Sequence, residues 1–196
     1  MASTTRGRPR SFDRDAALDK AIRLFWRRGY EATSVRDLTK ELGIGAPSLY
    51  KAFGDKRQLF AEALRVYDEE YGGFIEAALA EERTAKQAAA RVFAEAPARY
   101  TRRGLPAGCL IVSGDAGTPD AKVAAHLRHI RETKVAAFAD KIRADIASGE
   151  LPAGTEAQSL AHYTMSMLSG IAQAARDGVH RTELERVTRI ALGAWP

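Results

Sequence analysis

Several features that assign proteins to common classes are scarce or absent in this sequence. Cys109 is the single cysteine among 196 residues, so no disulfide can form within the chain, and a reducing cytoplasm is the compartment we expect. No apolar run reaches the 18 residues of a membrane span. Residues 1–10 are basic and polar, unlike a secretory signal. The sequence therefore predicts a cytoplasmic protein with no membrane partner.

The signatures of catalysis and metal binding are also lacking. We find no Ser/His/Asp order, no Gly-rich phosphate loop and no metal-ligand spacing. His126 and His129 share a face of one predicted helix, but no cysteine or carboxylate cluster joins them, and exposed helical histidines are the competing interpretation. Asp115, beside two glycines, is either a site residue or a solvated loop carboxylate. We expect no metal, no cofactor and no enzymatic activity.

Charge is distributed unevenly along the chain. Residues 1–56 hold 12 Lys/Arg and 7 Asp/Glu, whereas residues 57–196 hold 18 of each, so the first quarter carries the whole net charge of +5. This asymmetry favours a head that binds a polyanion on a neutral body, although an ordinary solvated face would also produce it.

Hydrophobic residues recur at helical spacing through most of the sequence, which predicts an all-α fold. Pro97 should kink or split its helix, and Cys109–Ser113 should form one or two helical turns. The main predicted helices are Asp15–Arg28, Ser34–Leu42, Ala46–Phe53, Lys56–Tyr71, Thr84–Arg103, Asp120–Ser148, Thr155–Arg176 and Thr182–Ala194.

Two short predicted helices joined by Gly43-Ile44-Gly45, after a longer one, match the three-helix unit of helix-turn-helix proteins. The second short helix would read the major groove with its first residues. Ser48 can hydrogen-bond to a base edge, and Ala46 or Pro47 can pack on a thymine methyl group. Tyr50 and Lys51 suit phosphates, and Lys56 adds a cation at the next helix N-terminus.

A basic arm precedes this unit. Gly7 and Pro9 favour an extended chain, and Arg6, Arg8 and Arg10 can enter a narrow A·T minor groove. A basic tail with no specific contact is the alternative.

The stretch from Phe12 to Phe60 resembles the DNA-binding domain of TetR-family regulators. The matching marks are Ala21-Ile22-Arg23-Leu24-Phe25, Gly29-Tyr30, Thr33-Ser34-Val35, Leu42-Gly43-Ile44, Leu49-Tyr50-x-x-Phe53, Lys56 and Leu59-Phe60. The resemblance implies that Thr33, Ser34, Arg36, Tyr50 and Lys56 contact phosphates. Many members carry Ser-Lys-Gly where this chain has Gly45-Ala46-Pro47, which removes an N-cap and a basic side chain.

The resemblance also implies a helix-turn-helix DNA-binding domain over residues 11–71, after the arm at residues 1–10. Residues 72–196 would form a helical bundle for effector binding and dimerisation. The implied function is a repressor that a small-molecule effector releases from its operator; the alternative is a regulator or architectural protein without an effector. The partners would be a near-palindromic double-stranded DNA operator, a second copy of the chain and an unknown effector.

Two residue sets follow for the bundle. Aromatic, methionine and cysteine side chains suit an adaptable apolar pocket, and packing in the core is the alternative for any one of them. The candidates are Phe93, Tyr100, Cys109, Phe138, Tyr163, Met165 and Met167. Cys109 could also be a redox or electrophile sensor, or a small buried hydrophobe. Apolar residues of the last two helices would form the dimer seam, namely Leu160, Leu168, Ile171, Leu184, Val187 and Ile190. For the stretch Leu168-Ser169-Gly170-Ile171, a contact within one chain is the alternative.

Overall fold

Residues 13–196, which a computed structural model describes, fold into ten α-helices and one π-helical turn. No strand occurs in this range, so the predicted all-α class is confirmed. The π-helical turn, Asp68–Gly72, lies between α4 and α5. The helices are α1 (Arg14–Arg28), α2 (Val35–Leu42), α3 (Ala46–Phe53), α4 (Lys56–Tyr67), α5 (Phe74–Glu81), α6 (Ala85–Tyr100), α7 (Leu110–Ser113), α8 (Ala121–Ser148), α9 (Ala157–Arg176) and α10 (Arg181–Leu192).

Capping residues explain where the first helices begin and end. The Asp13 carboxylate accepts hydrogen bonds from the first amides of α1, and Asp55 and Gln58 form a reciprocal capping box at the start of α4. Gly29 and Gly43, with φ of 76° and 70°, end α1 and α2 in a conformation that disfavours side chains. These local signals are readable in the sequence.

The helices pack around two hydrophobic cores. The first core lies among α1, α2, α3 and α4, which together form the head. An aromatic group at its centre includes Phe25 and Phe60, whose ring centroids lie 4.8 Å apart. Leu110 and Ile111 of α7, and Val123 and Leu127 of α8, belong to this core too. The head is therefore completed by residues that lie far from it in sequence.

The second core belongs to the body. It gathers buried residues of α5, α6, α9, α10 and the C-terminal half of α8, with Phe93 and Phe138 almost fully enclosed. Trp195 closes the end of this core. The body thus has its own apolar interior beside that of the head.

Two of the main predicted helices differ from those observed by more than two residues at their C-terminal ends. The helix predicted over Lys56–Tyr71 ends at Tyr67 and continues as the π-helical turn up to Gly72. α6 ends at Tyr100 and runs through Pro97 without splitting, which corrects the prediction of a split. Because Pro97 lies within one turn of the helix end, its missing N–H removes a single hydrogen bond there.

Polar contacts also join the head to the body. The Arg176 guanidinium, at the end of α9, donates to the carbonyl oxygens of Trp26 and Arg27 at 3.2 and 2.9 Å, and to Ser113 Oγ at 2.8 Å. The Tyr30 amide donates to the Gly114 carbonyl oxygen at 2.8 Å. The C-terminal end of α1 is therefore held by both α9 and the α7 segment.

Candidate nucleic-acid interface

α2 and α3 form a tight pair because of local sequence. A capping box between Ser34 and Asp37 begins α2. Gly43 ends it in the left-handed conformation, and Gly45 begins α3 with Pro47 in the first turn. The three-residue turn between the helices is the geometry that the sequence predicts for a helix-turn-helix unit.

α3 has one buried and one exposed face. Leu49 and Phe53 point into the head core, whereas Pro47, Ser48 and Lys51 are exposed. Tyr50 is 50% exposed, which is unusual for so large an aromatic side chain among residues 13–196. Ala46 is half-buried at the start of the helix. From the N-terminal end of α3, this face presents small and weakly polar groups, followed by the phenol of Tyr50 and the ammonium group of Lys51.

Two residues predicted to contact phosphates have structural roles. Thr33 is fully buried, and its hydroxyl donates to the Gly29 carbonyl oxygen at 2.7 Å, so the phosphate contact expected of its side chain is wrong. Ser34 is exposed, but its hydroxyl accepts from the Asp37 amide at 3.1 Å and also bonds to the Asp37 carboxylate. Both side chains stabilise the start of α2.

Ion pairs neutralise several cations of the head. Arg14 pairs with Glu62 at 2.7 Å, Arg27 with Glu41 at 2.8 Å, and Arg28 with Asp37 at 3.3 Å. Within residues 13–196, no carboxylate pairs with the remaining exposed cations of this surface, Arg36, Lys40 and Lys51. They are the free positive charges around α2 and α3.

Lys40 was missed by sequence reasoning. It lies four residues after Arg36 on α2, so the two cations share a face of that helix. Their spacing is the signal that could have found it.

Lys56 lies at the first position of α4, over an aromatic ring. Its Nζ is 4.1 Å from the centroid of Tyr30, a cation–π contact, and burial lowers the pKa of Lys56. The side chain is half-buried yet lies beside the exposed N-terminus of α4. The predicted arm contacts, Arg6, Arg8 and Arg10, lie outside the described residues.

An enclosed cavity lies between the head and the body. Three of the seven predicted pocket residues, Tyr100, Cys109 and Met165, line it. Burial raises the pKa of the Cys109 thiol, so the sulfur is protonated and weakly nucleophilic at neutral pH. The other lining residues are Tyr67, Tyr71, Gly72, Phe74, Ile75, Ile111, Val112, Arg131, Lys134, Leu168 and Ser169.

The other four predicted pocket residues lie elsewhere. Phe93 and Phe138 are 1% and 0% exposed and fill the body core, and Met167 packs against that core. Tyr163 lines an open groove near the C-terminus, where its hydroxyl donates to the Ala191 carbonyl oxygen at 2.7 Å. None of the four lines this cavity, and for Phe93 and Phe138 the structure agrees with the alternative of core packing. Aromatic composition alone does not separate core from cavity wall.

Lys134 was missed as a cavity residue. Its ammonium pairs with the carboxylates of Asp68, at 2.9 Å, and Glu76. It shares a face of α8 with Phe138, four residues on, and a lysine within an apolar helical face was the available signal.

The residues predicted to form the dimer seam fall into a buried group and a more exposed group. Leu168, Ile171 and Leu184 are 2%, 2% and 1% exposed because they face the core of their own chain, so they are not available to a partner. Leu160 and Val187 are half-buried, and Ile190 is 78% exposed. The seam predicted from the apolar stripe is therefore wrong at three positions and remains a prediction at the other three.

Among residues 13–196 no group of three or more His, Cys, Asp or Glu side chains is arranged to hold a metal ion. Over the same residues, no helix has the length and apolar character needed to cross a bilayer.

A tight pair of short helices with one uncovered, basic face, on a helical body that encloses a cavity, defines a helix-turn-helix DNA-binding regulator. The family model "Bacterial regulatory proteins, tetR family" matches residues 17–63. The model "Tetracyclin repressor-like, C-terminal domain" matches residues 85–191. The chain belongs to the TetR family, whose members are transcriptional regulators.

Known relatives extend over nearly the whole chain. The HTH-type transcriptional repressor ComR of Escherichia coli (strain K12) is 36% identical, over 98% of this chain and 93% of its own. The repressor BdcR of the same strain is 31% identical, over 88% and 83%. A cysteine mutant of the TetR family regulator CifR, solved with 26-base-pair operator DNA, is 40% identical with a TM-score of 0.90, over 96% of this chain and 100% of its own.

Proposed function

We propose that this DNA-binding regulator is a homodimeric repressor that leaves a near-palindromic operator when a small-molecule effector binds. The uncovered face of α3 carries the proposal, because Tyr50 and Lys51 have no structural role that would explain their exposure. The similarity to proteins named as repressors supports the direction of regulation. A regulator without an effector is the alternative.

In the proposed complex, α3 lies in the major groove. Ala46, Pro47 and Ser48 meet base edges, and Tyr50 and Lys51 meet phosphates. Arg36 and Lys40 of α2 face the backbone. The basic arm, residues 1–10, follows the adjacent minor groove. We place the DNA-binding domain at residues 11–71, with structural support from α7 and the start of α8.

The effector would act from the cavity. Tyr67 and Tyr71 line it, and both rings contact Trp26 of α1, with centroids 4.8 and 5.3 Å from that of Trp26. A ligand that moves these rings moves α1 and α4 together. The head spacing then changes, to the extent that the ligand prefers one state over the other.

A salt titration tests the DNA face. Replacing both Arg36 and Lys51 with Ala should reduce the slope of log K against log salt by about 1.8 per head, because two phosphate contacts are lost. Fluorescence anisotropy with operator duplex measures it. The control is a double Ala variant at Arg65 and Arg143, which lie on α4 and α8. Equal slopes for the two variants would remove the α2–α3 face from the interface.

A further inference from the structure

A second hollow lies beside the cavity between head and body, and the two share lining residues. The volume that the centre of a water molecule can occupy is about 40 Å³ in the cavity and 30 Å³ in the second hollow. Tyr67, Tyr71 and Tyr100 form the wall that both spaces share, and Trp26 lines the second one. As they stand, the two spaces have room for only a few water molecules. A larger occupant must displace the tyrosine wall.

Two polar groups at these spaces lack hydrogen-bond partners. Tyr100 is 6% exposed, and no group among residues 13–196 hydrogen-bonds to its hydroxyl. Trp26 is 2% exposed, and its Nε1–H is also unpaired within that range. By contrast, the Tyr67 hydroxyl accepts from the Leu110 amide at 3.2 Å. Native proteins seldom leave a buried donor such as the Trp26 indole unpaired, so this N–H is available to a water molecule or a ligand. The Tyr100 hydroxyl lines both spaces and is a second group that an occupant can reach.

Both unpaired groups can donate. The indole N–H is a donor only, and the phenol can donate or accept. Burial raises the pKa of Tyr100 well above its usual value, so its hydroxyl keeps its proton. A ligand atom that accepts a hydrogen bond can therefore pair with either group.

The charges around the cavity are already paired. Lys134 is held by Asp68 and Glu76, and the Arg131 guanidinium lies 3.1 Å from the Asp115 carboxylate and donates to the Ile111 carbonyl oxygen at 2.8 Å. A charged ligand would have to break one of these pairs or remain unpaired in a buried site, and either is costly. The rest of the wall is mainly hydrocarbon, including Phe74, Ile75, Val112, Met165 and Leu168.

We propose that the effector is a small, uncharged, mainly hydrocarbon molecule with an oxygen acceptor that receives a hydrogen bond from the Tyr100 hydroxyl. The proposal rests on the repressor function proposed above and names the chemical class of its effector. Tyr100 is the residue that selects for the oxygen.

The position of the wall explains how such a ligand acts on the head. Tyr71 and Gly72 belong to the π-helical turn, whose wider winding is less favourable than that of an α-helix. Entry of a ligand pushes this turn and Tyr67, the last residue of α4, away from the cavity. Because Trp26 packs on both tyrosines, α1 follows.

A set of six-membered-ring probes tests the chemical class. Cyclohexanone, methylcyclohexane, cyclohexanecarboxylate and cyclohexylamine differ in charge and in the acceptor at similar size. Binding to the full-length protein is measured by the quenching of tryptophan fluorescence in a Trp195→Phe background, which leaves Trp26 as the single reporter. We expect the ketone to bind more tightly than the hydrocarbon, and the two ions to bind at least tenfold more weakly than the ketone.

The Tyr100→Phe variant assigns the hydrogen bond. It should weaken cyclohexanone about five- to tenfold and leave methylcyclohexane unchanged, since one hydrogen bond is lost. Its melting temperature should be no lower than that of the parent protein, because the hydroxyl is unpaired in the free protein. The control is Tyr163→Phe, whose hydroxyl bonds to Ala191 away from the cavity, and it should bind both probes normally.

The outcomes separate the two proposals. Equal ketone binding by Tyr100→Phe and its parent, tighter binding of an ion than of the ketone, or no binding of any probe would overturn the inference. If the ketone binds through Tyr100 but operator DNA stays bound in anisotropy measurements, the chemical class stands and release by an effector fails.

Discussion

Tyr50 is the most exposed aromatic residue of the head among residues 13–196, and it makes the DNA face testable with one substitution. Tyr50→Ala should weaken operator binding by about 1–2 kcal/mol, because it loses a phosphate hydrogen bond and packing against the duplex. The melting temperature should barely change, since half of the side chain is exposed. A gel-shift titration beside a thermal melt measures both.

Thr33→Val provides the matched comparison. This residue is buried and bonded to Gly29, so its substitution should cost about 1–2 kcal/mol of stability and lower the melting temperature by a few degrees. Operator affinity at low temperature should stay within about twofold. If Tyr50→Ala bound DNA normally while Thr33→Val did not, the assignment of Tyr50 to DNA contact and of Thr33 to the fold would be contradicted.

Individual residues are where the sequence was least informative. Helical periodicity correctly predicts that Leu168, Ile171 and Leu184 lie on buried faces. It does not say whether the face packs within one chain or between two, because both interfaces select the same apolar residues. Likewise, Tyr100 and Phe93 look alike in sequence, and only the arrangement of the helices places one at a cavity and the other in the core.

At the scale of elements, the sequence predicted most of the fold. Caps and glycines are local signals, and the predicted Ala46–Phe53 helix agrees with α3 at both ends. The π-helical turn was not predicted, because its winding depends on tertiary contacts such as the pairing of Asp68 with Lys134. The packing of α7 with the head is also long-range and leaves no local pattern.

Arg176 gives a prediction at this scale. Arg176→Gln removes the guanidinium that holds the last carbonyl groups of α1. We expect faster hydrogen exchange of the amides in the last turn of α1 and weaker effector-induced operator release. Hydrogen–deuterium exchange and anisotropy measure the two effects.

The control for Arg176→Gln is Arg181→Gln, which removes an exposed arginine paired with Glu185 within α10. Its exchange pattern in α1 should match that of the parent protein. Unchanged exchange and normal operator release in Arg176→Gln would show that this contact does not couple body to head.

At the scale of the whole molecule, we propose that the dimer seam lies on exposed residues of α9 and α10, and not on the apolar residues of these helices that are buried within the chain. Gly170 lies in the middle of α9, and a Cβ added there would meet no other part of residues 13–196 within 4 Å. A mid-helix glycine costs about 1 kcal/mol relative to alanine, so close approach of a partner helix would explain it. Ile190 of α10 is 78% exposed and is a large apolar residue that a partner could cover.

Ile190→Glu should therefore split the dimer. A partner would bury the new charge, and the dimer dissociation constant should rise by about 100-fold or more. Light scattering at a series of concentrations measures it, and operator affinity should fall in parallel. The control is Ala137→Glu on an exposed face of α8, which should stay dimeric. An Ile190→Glu protein that remains dimeric would place the seam elsewhere.

The reading of DNA by two symmetric heads is tested most directly by selecting bound duplexes from a random DNA pool with the full-length protein. We expect an inverted repeat whose half-site centres lie about one helical turn, or a multiple of it, apart. Its enrichment should be lost with the Tyr50→Ala protein. Recovery of no enriched sequence, or of a motif that Tyr50→Ala enriches equally, would contradict the assignment of α3 as the helix that reads the operator.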